Sequence, residues 1–146
     1  MIEVIEISRN FGKFQAVNQV SFRVKKKEVL GFLGPNGAGK STTMKMLTGY
    51  LQPSSGDASI CGYSITKETI KAQAAIGYLP ESAPSYGEMK VVEFLKFVGQ
   101  VRGLNGKRLE FQIEKILEDT SLQTVRNQLI ETLSKGYKRR VGIAQA

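Results

Sequence analysis

No histidine occurs in the 146 residues, and cysteine occurs once, at Cys61. A zinc site of the usual nitrogen and sulfur ligands cannot be assembled from such a chain, and no disulfide can close within it. Long apolar runs are missing too. The longest, such as VLGFLG at 29–34, fall far short of the roughly 20 residues that span a bilayer. The N-terminus lacks the pattern of a secretory signal. There is no internal repeat and no low-complexity linker. These absences predict a chain in reducing, cytoplasmic surroundings with no membrane-crossing segment.

What is present is a globular composition, 41% hydrophobic and 23% charged, without the low hydrophobicity that marks disorder. A chain of this length has room for one domain, burying about two-thirds of the surface that its unfolded form exposes. The net charge of +8 raises the question of a polyanionic partner. The basic residues are scattered, however, and cluster only at Lys25, Lys26 and Lys27 and at Lys138, Arg139 and Arg140. Scattered charge is usually a solvated face, so nucleic acid is not expected as a partner. A nucleic-acid-binding or purely nucleotide-binding module is the rival class, and it would need that charge gathered on one face. The lysine run follows an alternating stretch, where it can protect an exposed strand edge.

Periodicity gives alternating strands and helices. IEVIEIS (2–8) and AVNQVSFRV (16–24) read as an antiparallel pair joined through NFGKF. VLGFL (29–33) is a continuous apolar strand of the buried kind. A helix is expected from Lys40 to about Tyr50, then a turn at PSSGD, a short strand at DASICGY, a helix at TKETIKAQAA and a second buried strand at IGYL (76–79). From about Lys90 to Leu133 apolar residues recur at helical spacing, with Val91, Val92, Phe94, Leu95 and Val98 followed by Leu109, Ile113, Ile116 and Leu117. That segment reads as a helical subdomain.

GPNGAGKST, residues 34–42, fits the phosphate-loop (Walker A) pattern G-x-x-x-x-G-K-[ST], with Gly34, Gly39, Lys40 and Ser41 at the fixed positions. Glycines without a Cβ let successive backbone amides approach phosphate oxygens. The following helix adds its unpaired N-terminal amides and positive dipole end. Lys40 is placed to reach the β- and γ-phosphates, and the Ser41 hydroxyl to ligate Mg²⁺. A chance match arises in roughly one in 200 chains of this length, and the strand–loop–helix setting makes it rarer. The loop predicts nucleoside triphosphate binding by Gly34, Pro35, Asn36, Gly37, Ala38, Gly39, Lys40, Ser41 and Thr42. It does not choose among kinases, GTPases and transport ATPases.

Other residues choose. From its first residue to its last the chain resembles the ATP-binding subunit of an ABC transporter. In SRNFGKFQAVNQVSFRV the aromatic before a glycine is Phe11, at the position where the family stacks adenine; read alone, Phe11 is also an ordinary turn or core residue. GPNGAGKSTTMKMLTGYLQPSSG follows the family's loop, helix and turn. IGYLPE resembles the family's lid, with Glu81 where a glutamine usually stands beside Mg²⁺ and the attacking water. A carboxylate there can still ligate Mg²⁺ or hold water, which makes Glu81 a candidate metal and catalytic residue beside Lys40; the alternative is an exposed loop acid. Glutamate after YLP is similar to the export and gliding-type subgroup. LSKGYKRRVG (133–142) resembles the signature Leu-Ser-Gly-Gly-Gln, matching at Leu133, Ser134 and Gly136 and departing at Lys135 and Tyr137. Ser134 is a favourable helix N-cap.

The resemblance implies an α/β P-loop NTPase with a RecA-like core, an antiparallel β subdomain and a helical subdomain. It divides into a β subdomain and loop core at 1–89, helices at 90–133 and a signature helix at 134–146. It implies ATP and Mg²⁺ as ligands, and head-to-tail pairing with a second ATP-binding subunit whose ATP meets Ser134 and Gly136. It also implies transmembrane permease partners that place the protein on the inner face of the cell membrane. The family continues past VGIAQA into the Walker B strand with its aspartate and catalytic glutamate. The expectation is therefore an incomplete domain that binds Mg-ATP without hydrolysing it. A soluble ATPase of the same family is the alternative, though it would usually carry two such domains or long insertions.

Overall fold

The computed structural model describes residues 1–80 and 86–146. These form two compact units, Met1–Ile76 and Gly77–Ala146.

The first unit is built on a four-stranded antiparallel sheet in the order β2-β1-β3-β4, from β1 (Ile2–Phe11), β2 (Phe14–Val24), β3 (Ser55–Ile60) and β4 (Tyr63–Ser64). The expected antiparallel pair is there, and it runs further than its alternation suggests, closing through a two-residue turn at Gly12 and Lys13. Three irregularities interrupt the pairing. Between Val4 and Ile7, β1 carries an extra residue; opposite Ile7 to Arg9, and again opposite Arg9 to Asn10, β2 carries one. The first two place an unpaired residue at Glu6 and Gln19. Glu6 and Gln19 have φ of 49° and 44° there, as extra residues in strands often do. Each loses its ladder partner and regains one from a serine. The Glu6 amide donates to Ser21 Oγ at 2.8 Å and the Gln19 amide to Ser8 Oγ at 2.8 Å, which keeps the displaced backbone donors satisfied. β3 crosses β1 at the first irregularity so closely that a Cβ on Gly56 would lie 2.3 Å from the Glu6 carbonyl oxygen.

Helices α1 (Lys40–Leu47) and α2 (Thr69–Ala74) complete the unit. Met46 and Leu47 of α1 and Ala72 of α2 join Val4, Ile7, Val17, Ala58, Ile60 and Ile65 in one core. Helix α1 ends at Gly49 in a left-handed conformation with φ 69°, where the Tyr50 amide returns to the Lys45 carbonyl at 2.9 Å. That is a common helix stop. β2 is an edge strand and Lys25, Lys26 and Lys27 follow it directly, as expected for edge protection.

Residues 29–33 do not form the expected buried strand. Val29 and Leu33 are 95% and 94% exposed, while the Phe32 ring packs 5.6 Å from that of Phe22. A continuous apolar strand of this kind is stable only between neighbours that take up its amides and cover both its faces. Among the described residues no strand pairs with it. Residues 76–79 are likewise without strand structure, for the same reason.

The second unit is helical, with α3 (Val91–Val101), α4 (Gly106–Asp119) and α5 (Lys135–Gln145). The helical spacing is realised. Val91, Phe94 and Leu95 of α3 and Leu109, Ile113 and Leu117 of α4 are buried together with Leu122, Val125, Ile130, Leu133 and Val141. The Glu93 carboxylate accepts the Lys90 amide at 3.2 Å, closing the first turn of α3. Gly99 lets α3 and α4 approach: a Cβ there would lie 2.5 Å from Leu109 Cδ1.

Candidate functional site

The phosphate-loop sequence sits at the start of α1, and its glycines do backbone work. Gly37 and Gly39 both have φ of +85°, a region that residues with a Cβ enter only at a cost. Gly39 is also pinned from outside. A Cβ on it would meet the Ala16 carbonyl oxygen at 2.4 Å and Val17 Cγ2 at 3.0 Å, so the loop rests directly on β2. Gly39 caps α1 without a side-chain partner, and the first helical bond runs from the Thr43 amide to the Gly39 carbonyl at 2.8 Å. The amides of Lys40, Ser41 and Thr42 therefore have no partner within the helix. They point into a helix N-terminus with no acidic residue in its first turn, an arrangement that favours an anion.

Lys40 is folded back over the loop. Its ammonium donates to the Gly34 and Pro35 carbonyl oxygens, each at 2.7 Å. An ammonium has three donors, so two hold the loop closed and one is left for a ligand. Thr43 is buried and donates from Oγ1 to the Gly39 carbonyl at 3.0 Å, which stiffens the same turn. Ser41 is exposed, and its hydroxyl makes no hydrogen bond among the described residues. No cluster of three His, Cys, Asp or Glu able to hold a metal occurs among the described residues. A metal in this loop would take its protein ligand from Ser41 and the rest from phosphate oxygens and water, which suits Mg²⁺. Chemically, the loop gathers backbone and ammonium donors that suit an anion with several oxygens.

Phe11 lies at the end of β1, 46% exposed, and pairs with Phe14 across the turn. The same hairpin supports the loop. Arg9 pairs with Val17, and Val17 is the residue on which Gly39 rests, so Phe11 stands two residues further along from the point where the loop is seated. The sequence pattern missed what covers one side of Phe11: the Arg9 guanidinium carbon lies 4.8 Å from its ring centre. A two-residue spacing on a strand places both side chains on one face, a signal legible once the strand is known to extend to Phe11.

In the second unit Ser134 is the N-cap of α5, accepting the Tyr137 amide at Oγ at 3.4 Å. Gly136 follows in the first turn, and Lys138 donates back to the Glu131 carbonyl at 2.8 Å. The Arg140 guanidinium stands 5.2 Å over the Tyr137 ring. The departures from the signature at Lys135 and Tyr137 thus leave the cap intact. Glu81 lies outside the described residues.

Comparison with known proteins gives a consistent picture. The family described as ABC transporter matches residues 17–146. A probable multidrug ABC transporter ATP-binding protein of Escherichia coli, YbhF, is 38% identical over 99% of this chain, which covers 25% of that protein. The linearmycin resistance ATP-binding protein LnrL of Bacillus subtilis is 39% identical over the whole chain, which covers 47% of it. The chain thus spans a quarter to about half of the length of these relatives. Among solved structures, an ATP-binding subunit of an ABC transporter superposes with a TM-score of 0.87 at 30% identity, over 99% of this chain and 60% of that one. The cbiO1 protein of Clostridium perfringens, part of the cbiONQ transporter complex, gives a TM-score of 0.84 at 27% identity over 99% of this chain and 59% of its own. No helix among the described residues is long and apolar enough to cross a membrane.

Proposed function

We infer, for a chain that belongs to the ABC transporter family, that loop 34–42 binds the triphosphate of ATP and that this binding drives transport by separate membrane subunits. One observation carries the reading most of the way: Lys40 is held over a glycine loop with a donor to spare, beside three unpaired helix amides.

In this reading the amides of Lys40, Ser41 and Thr42 take the β-phosphate, and Lys40 bridges towards the γ-phosphate. Ser41 Oγ supplies the protein ligand to Mg²⁺, which neutralises charge on the phosphate oxygens when bound. Phe11 offers its open face to adenine. Ser134 and Gly136 face the γ-phosphate of ATP held by a second ATP-binding subunit, so that two ATPs are enclosed between head-to-tail partners and their binding closes the pair. Glu81, where the family has its lid glutamine, orients water or the metal. Permease subunits receive the motion through the helical subdomain at 90–133, which places the protein on the cytoplasmic face of a membrane. Two relatives are named for multidrug transport and linearmycin resistance, which favours export over import. We propose that residues 1–146 bind Mg-ATP and do not turn it over by themselves, because Lys40 and Ser41 hold bound phosphate and metal and neither is a base for the attacking water.

The test is calorimetric titration with Mg-ATP. Lys40→Ala removes a charge-assisted contact worth about 2 to 3 kcal/mol, so affinity should fall about a hundredfold. Equal affinities for parent and variant would remove the loop from the site.

A further inference from the structure

Phe11 alone is a poor platform. An exposed phenylalanine at a strand end samples several side-chain rotamers, and a base can stack on only one of them productively. One contact in the structure is placed to restrict them. The Arg9 guanidinium lies 4.8 Å from the centre of the Phe11 ring, and Arg9 is itself tethered, its Nη1 donating to the Gln52 carbonyl oxygen at 2.7 Å. Gln52 follows closely on α1, the helix whose other end is the phosphate loop. The backbone beside this tether is fixed as well: the Ser54 amide donates to the Ser8 carbonyl at 2.8 Å and the Asn10 amide to Ser54 Oγ at 3.1 Å. Arg9 Nε is shielded from solvent and has no acceptor among the described residues. The guanidinium is thus committed to the ring and to Gln52, with little freedom to serve elsewhere.

We propose that Arg9 is a positioning residue for the nucleobase, clamping one face of Phe11 so that the opposite face is presented to adenine at a set distance from the phosphate loop. This rests on the reading of Phe11 as the base platform. A cation on one face also withdraws electron density from the ring, which improves its stacking with an electron-rich purine on the other. Arg9 touches neither base nor phosphate. Its effect passes through Phe11.

That route is what distinguishes the proposal from simple attraction between a cation and a polyanion. Affinities of the intact protein for Mg-ATP and for magnesium tripolyphosphate, which has no base, are measured for the parent, Arg9→Ala, Arg9→Lys, Phe11→Ala and the double variant. Arg9→Ala should weaken ATP about three- to fivefold, the scale of one exposed cation–π contact, and leave tripolyphosphate unchanged. Arg9→Lys keeps the charge but not the planar fork, and should recover only part of the loss. In the Phe11→Ala background, Arg9→Ala should have no further effect on ATP. Independently of ligand, the Arg9 side-chain protons should show upfield ring-current shifts in the NMR spectrum of the parent that vanish in Phe11→Ala. An equal loss for ATP and tripolyphosphate would overturn the proposal in favour of charge attraction. So would ring-current shifts that are absent from the parent. Phe11→Ala that weakens ATP while Arg9→Ala does not would overturn the clamp and leave Phe11 as the platform; a silent Phe11→Ala would overturn both.

Discussion

Replacing Gly39 by alanine should damage the site by two separable routes. Gly39 has φ of +85°, and forcing a residue with a Cβ into the left-handed region costs about 1 to 2 kcal/mol. The new methyl would also stand 2.4 Å from the Ala16 carbonyl oxygen and 3.0 Å from Val17 Cγ2, where Cβ contacts in proteins essentially never come under 3.0 Å. The loop would have to retreat from β2 by at least about half an ångström, or β2 would have to move, and overpacking of this kind costs about 1 to 3 kcal/mol more. Gly37 provides the control. It has the same φ of +85°, but a methyl added there would meet nothing within 4 Å, so Gly37→Ala should cost about 1 to 2 kcal/mol from the backbone alone. Urea denaturation followed by far-ultraviolet circular dichroism should show Gly39→Ala less stable than Gly37→Ala by at least about 1 kcal/mol. Mg-ATP affinity should fall in both variants and further in Gly39→Ala. Equal stability of the two would refute the seating of the loop on β2, and with it the physical link between the phosphate loop and the hairpin that carries Phe11.

Other outcomes follow from the same contacts. Ser8, 4% exposed, is the acceptor for the displaced Gln19 amide; Ser8→Ala should destabilise the protein by about 1 kcal/mol, the net contribution of one partly buried hydrogen bond, and a neutral result in urea denaturation would show that water serves the amide instead. Phosphate release from saturating Mg-ATP, with Lys40→Ala as background, should stay far below the turnover of about 1 s⁻¹ at the slow end of ordinary enzymes. Lys40-dependent release on that scale would place a working carboxylate within these residues and turn attention to Glu81.

Much of the architecture is legible in the sequence because local patterns determine it. The apolar spacing of α3 and α4 needs only each helix's own period, and both helices form with those residues inside. The phosphate loop is a contiguous motif whose glycines answer to local dihedrals. The sheet is harder. An extra residue at Glu6 or Gln19 is invisible to a two-residue alternation until the partner strand is known, and so is the pairing of each freed amide with Ser21 or Ser8 across the sheet. For the same reason β1 reads as ending at Ser8, which hides that Arg9 and Phe11 share a face. At 29–33 the pattern describes neighbours rather than the segment itself: apolar residues on both faces announce a strand covered on both sides, and its form depends on residues elsewhere supplying the ladder. The cap at Ser134 lies between these cases. Its serine is local, and the cap forms, whereas the phosphate we propose for it would be carried by another subunit.

The central claim, that residues 34–42 hold the phosphates of ATP with Phe11 under the base, is tested most directly by backbone amide shifts. In a chain of 16.1 kDa the amide of nearly every residue can be followed while Mg-ATP is added. Large downfield shifts at Gly37, Gly39, Lys40, Ser41 and Thr42, with ring-proton shifts at Phe11, are the predicted result, and magnesium tripolyphosphate should reproduce the loop shifts and spare Phe11. Saturable ATP binding that leaves the loop amides unmoved would contradict the account.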